Sequence, residues 1–121
     1  MMAPISVGEL LDKITILELK QEHTQDPSKL LNIETEMAEL NDLAKSLKND
    51  SLDDLYQRLK HINRIIWIVE DKIRAKERQQ LFDAEFIQLA RDVYINNDLR
   101  ADVKREINLA THSHIVEEKI Y

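Results

Sequence analysis

Between Leu30 and Ile73 apolar residues recur at steps of three and four. Leu30, Ile33, Met37, Leu40, Ala44 and Leu47 form one series, and Leu52, Leu55, Leu59, Ile62, Ile66, Val69 and Ile73 form the next. This spacing follows one side of an α-helix and is the seam by which helices cross at a shallow angle. A strand would need a period of two instead. The chain also holds one glycine in 121 residues, so the positive-φ turns of a β-rich fold are poorly supplied. Nucleotide motifs that need several glycines are excluded for the same reason, and the absence of cysteine removes disulfides, zinc ribbons and thiol nucleophiles.

Five helices are predicted. The first runs to about residue 23, after a capping box at Ser6-Val7-Gly8-Glu9. The second covers about 27–48, opened by Asp26-Pro27. The third covers about 52–80, with Ser51 as its cap, and the short break at Asn49-Asp50-Ser51 folds it back on the second. The fourth covers about 84–95, with Phe82 and Ile87 placed as a hydrophobic staple. Asn96-Asn97-Asp98 separates it from a fifth, about 98–110. The expected fold is all-α, one helical domain over 1–121. It consists of a long antiparallel helical hairpin, an N-terminal helix and a short C-terminal helical pair.

The centre of the third helix is apolar in every direction: Ile65, Ile66, Trp67, Ile68 and Val69. A two-helix contact hides one side only, so this segment must meet another helix or another subunit. These five residues are the expected interface of a homo-oligomer, a dimer in the simplest case.

The net charge is −6 and neither half of the chain is basic, which argues against nucleic acid as a partner. No apolar run approaches the ~20 residues of a membrane span, and the first residues lack the pattern of a signal peptide. A soluble cytoplasmic protein is the expectation.

Catalytic motifs are sparse. There is no His-Glu-x-x-His, no Glu-x-x-His and no Gly-x-Ser-x-Gly. His112-x-His114 supplies too few ligands for a metal site, and Glu36-x-x-Glu39 lacks a downstream acidic match. Asp12 beside an apolar face is a candidate acid, although surface pairing explains it as well. Lys72, Arg74, Lys76 and Arg78 interleave with acids and point around the helix, as in a solvated end. Asn97, Arg100, Lys104 and Asn108 share one helix face. They suit either a phosphate or carboxylate, or pairing with Asp98, Asp102 and Glu106. No catalytic residue, metal or cofactor is called for.

The opening ISVGELLDKITILE resembles the start of a small bacterial family without an assigned activity. So do Asn63 with WIVEDKI at 67–73, FIQLA at 86–90 with Val93-Tyr94, NDLRA at 97–101 with KREIN at 104–108, and EEKIY at 117–121. The resemblance covers nearly the whole chain in order and implies an all-helical cytoplasmic protein. It also groups the charged residues of the first helix, the Asn97–Asn108 face and the C-terminal tail as one joint site. Two functions follow as expectations. The first is a non-catalytic helical interaction module that self-associates. The second is a binder, or an enzyme, of an anionic small molecule such as a phosphorylated sugar or nucleotide. There Asn97, Arg100, Lys104 and Asn108 grip the anion, and Lys13 with Glu117, Glu118, Lys119 and Tyr121 closes over it.

Overall fold

The computed structural model describes residues 3–47 and 50–112. It contains α1 (Val7–His23), α2 (Pro27–Ala44) with a 3-10 turn at Lys45–Leu47, α3 (Asp50–Arg78) and α4 (Ala84–Ala110). The all-α expectation holds. Two features of the expected arrangement change.

The C-terminal pair is one helix. Asn96-Asn97-Asp98 lies inside α4, and an unbroken series of buried and half-buried residues at helical spacing runs through it: Phe86, Leu89, Val93, Asn96, Arg100, Val103 and Ile107. Three poor helix formers cost only some tenths of a kcal/mol each, and packing along a shared seam outweighs that. Ser51 is likewise not a cap but a first-turn residue of α3.

The long antiparallel hairpin is built from α3 and α4, with α1 laid against both and α2 packed on α1. The α2 residues that come closest to burial are the predicted seam, Leu30, Ile33, Met37, Leu40, Ala44 and Leu47, yet none is fully buried. The central helix is therefore α1. Leu10, Leu11, Ile14, Leu17 and Leu19 are buried around it, and Leu52, Leu59, Val103 and Ile107 complete the core.

Local signals set the helix ends. Ser6 accepts from the Glu9 amide at 3.1 Å, and Asp26 accepts from the Ser28 amide at 2.9 Å with Pro27 in the first helical turn. Asp83 accepts from the Phe86 amide at 2.9 Å. Phe82 meets Phe86 edge-on at 5.2 Å, while Phe82 and Ile87, the pair expected to form a staple, are 55% and 59% exposed. At the α3–α4 turn, Gln80 adopts φ 56°, a left-handed position that glycine more often fills, and the Leu81 amide reaches back to the Lys76 carbonyl. Lys76 then bridges the turn to Asp83 at 2.9 Å; hydrogen bonding lowers the Asp83 pKa and raises that of Lys76.

α1 runs parallel to α3, as successive contacts show: Lys60 meets Glu18, Arg64 meets Glu22 and Trp67 stacks on His23 at 4.6 Å. The Arg64 hydrogen bond holds the Glu22 carboxyl below its ordinary pKa. Tyr56 also donates to Glu18. α1 ends at His23, so beyond Trp67 the α3–α4 hairpin extends without it.

Candidate functional site

The site begins with a glycine. Gly8 lies where α1 crosses α4 so closely that a Cβ would stand 2.6 Å from the Lys104 carbonyl oxygen and 3.0 Å from Asn108 Oδ1. The Gly8 amide donates to that same Asn108 oxygen at 2.7 Å. One turn further along, the close approach brings two acids of α1 to two cations of α4. Lys104 Nζ reaches Glu9 Oε2 at 2.7 Å. The Arg100 fork takes both oxygens of Asp12, Nε to Oδ1 at 2.8 Å and the terminal nitrogen to Oδ2 at 2.5 Å.

Asp12 is 1% exposed, and a charge so placed needs partners on every side. Besides Arg100 it accepts from Asn63 Nδ2 at 2.9 Å. The same amide donates to Thr15 Oγ1 at 2.7 Å, and Thr15 in turn donates to the Asp12 carbonyl. Among the described residues no buried side-chain nitrogen or oxygen lacks a hydrogen bond. The network ties α1, α3 and α4 together and holds the Arg100 guanidinium rigidly.

Outside this network lies a polar cleft of about 250 Å³ between α1, α2 and α4. Glu9, Asp12, Lys13, Lys20, Glu36 and Arg100 supply its charged lining, over a floor of Ile16 and Leu17. Lys13 stays 3.8 Å from Glu9 and half exposed. Three acids and three cations line the cleft, and the Arg100 side chain there is 27% exposed. Such a lining can hold an anion by direct charge contact; it offers no nucleophile beside a base. No group of three or more metal-ligating side chains occurs among the described residues.

The sequence-predicted residues divide clearly. Lys13 and Arg100 line the cleft, and Lys104 and Asn108 contact Glu9 and Gly8 of α1. Asn97 is exposed on α4 and does not line it. Of the nearby acids, Glu106 turns to Arg58 at 2.9 Å, while Arg100 takes Asp12 and Lys104 takes Glu9. Glu117, Glu118, Lys119, Tyr121 and His114 fall outside the described residues. Sequence reasoning missed Gly8, Thr15 and Asn63, although a polar residue inside an apolar seam and the sole glycine inside a helix are both visible misfits.

Of the expected interface, Ile66 and Val69 are buried, Ile65 and Trp67 are half-buried, and Ile68 is 46% exposed. The apolar girdle is thus wrapped on some sides by its own chain and open on another. No helix among the described residues is long and apolar enough to cross a membrane.

No curated protein and no solved structure matches the chain. A family does match, over residues 1–121, and the protein belongs to that family of unknown function, DUF6165.

Proposed function

We propose that the protein is a non-catalytic helical interaction module that associates with a second copy of itself. The observation that carries this reading is the open side of the α3–α4 hairpin. Ile65 and Ile68 of α3 and Ile95 and Leu99 of α4 fall on the side away from α1. Ile68, Ile95 and Leu99 are 46%, 41% and 46% exposed. Contiguous aliphatic surface of this kind is favourable to bury, at roughly 25 cal/mol per Å² of apolar area.

Sedimentation equilibrium between about 1 and 500 µM tests it. The wild type is expected to pass from monomer to dimer across this range. Leu99→Glu is expected to weaken association about tenfold or more with unchanged helical circular dichroism, because Leu99 belongs to no intramolecular core. A wild type that stays monomeric at every concentration refutes the reading.

The cleft favours a second reading, recognition of an anionic small molecule, since Lys13, Lys20 and a rigid Arg100 share one concave surface. At 10 mM inorganic phosphate, a site of ~1 mM affinity would stabilise the fold by about 1.4 kcal/mol, a rise of some degrees in Tm. The rise is expected over chloride of matched ionic strength, and to vanish in Lys13→Gln/Lys20→Gln. No rise with phosphate removes this reading.

A further inference from the structure

The open hairpin face carries more than apolar residues; its charges are sorted by helix. At helical spacing the α3 column reads Arg58, His61, Ile65, Ile68 and Lys72. The α4 column reads Glu106, Asp102, Leu99, Ile95 and Asp92. The ion pair of Arg58 with Glu106 fixes the register at one end, and Lys76 with Asp83 closes it at the other. Counting inward from the first pair sets His61 across from Asp102, Ile65 from Leu99, Ile68 from Ile95 and Lys72 from Asp92. The face therefore has an aliphatic middle, with Arg58, His61 and Lys72 along α3 and Glu106, Asp102 and Asp92 along α4; Asp54 continues the α3 column one step outward, and Arg91 lies beside Asp92.

Two ways of laying one such face on its twin satisfy two-fold symmetry. With the axis across the helices, α3 meets α3 and α4 meets α4. Lys72 then faces His61 of the second copy, and Asp92 faces Asp102, so like charges oppose. With the axis along the helices, α3 of one copy meets α4 of the other. Lys72 then faces Asp92, His61 faces Asp102 and Arg58 faces Glu106, while the four aliphatic residues interdigitate. Neighbouring helices are antiparallel in both arrangements, so the charge pattern decides between them.

We infer that two copies pair through this face with the two-fold axis along the α3–α4 hairpin, each α3 seated on the α4 of the other. The inference rests on the self-association reading above and adds its geometry. The five rows span about 20 Å of helix at 1.5 Å per residue. Two helix widths then give about 400 Å² per copy, roughly 800 Å² in all, below the ~1,200 Å² at which standard specific interfaces begin. A weak, transient dimer is the kind of association such a face supports.

A charge-exchange pair tests the geometry. Asp92→Lys puts lysine opposite lysine in its own dimer, and Lys72→Asp puts aspartate opposite aspartate. Mixed together, the two variants restore two lysine–aspartate contacts. Each variant alone is expected to associate at least about tenfold more weakly than wild type at low salt. The equimolar mixture is expected to recover wild-type association as a heterodimer by sedimentation. If the wild type dimerises but the mixture does not recover, the axis is misplaced and the pairing overturned. Strengthened association of Asp92→Lys alone overturns it too, since that result fits α4 on α4, where the new lysine would face Asp102. A wild type that never dimerises defeats both this inference and the reading beneath it.

Discussion

Gly8→Ala is expected to destabilise the fold by about 2–4 kcal/mol, lowering Tm by roughly 10 °C in thermal denaturation. In an ordinary helix the same change gains up to about 1 kcal/mol, because alanine is the better helix former. Here the sign reverses. The new methyl would stand 2.6 Å from the Lys104 carbonyl oxygen, a backbone atom that cannot swing aside. Relief requires α1 and α4 to separate, which strains the hydrogen bond from Gly8 to Asn108 and the pairs of Glu9 with Lys104 and Asp12 with Arg100. A Tm equal to or above wild type would show that the helices do not approach this closely.

The second large effect is expected at Asp12. Asp12→Ala removes the carboxylate that faces both Nε and the terminal nitrogen of Arg100, and it takes from Asn63 one of its two acceptors. Breaking one side of a buried ion pair costs about 3–5 kcal/mol. The lower part of that range applies, because Arg100 keeps some contact with water. Chemical denaturation measures it. The double variant Asp12→Leu/Arg100→Met is expected to recover most of the loss, because two apolar side chains of similar bulk leave no stranded charge. Failure of the double variant to recover would mean that Asn63 and Thr15 depend on the carboxylate more than Arg100 does.

These residues also mark what could be read from sequence and what could not. The seam of α2 was legible to the residue, because a 3–4 repeat specifies which side chains turn inward. Its partner was not legible: a seam states that a helix packs, without stating on which neighbour. A short connection between the second and third predicted helices suggested that pair, whereas the longer seam of α4 is the one that α3 takes. α4 was in turn split at Asn96–Asp98, since local propensity is plain in sequence and the tertiary contacts that override it are not.

The ionic network failed for a different reason. Arg100 has Asp98, Asp102 and Glu106 nearby in sequence, and any of them offers a local pair. The partner it takes lies 88 residues away, and nothing in the charge pattern ranks a distant carboxylate above a near one. The joint grouping of the first helix with the 97–108 face came from family resemblance alone. In the structure the first helix and part of that face are in contact, through Gly8 with Asn108 and the ion pairs of Glu9 with Lys104 and Asp12 with Arg100.

One consequence of this layout concerns the order in which the chain is made. The central helix α1 is synthesised before α3 and α4, its principal partners. Until Arg100 and Asn108 have followed, α1 has neither the full set of partners for the Asp12 carboxylate nor the acceptor for the Gly8 amide that the finished fold supplies. Native structure thus cannot close progressively along the chain, and α4 completes the interior rather than adding to its outside.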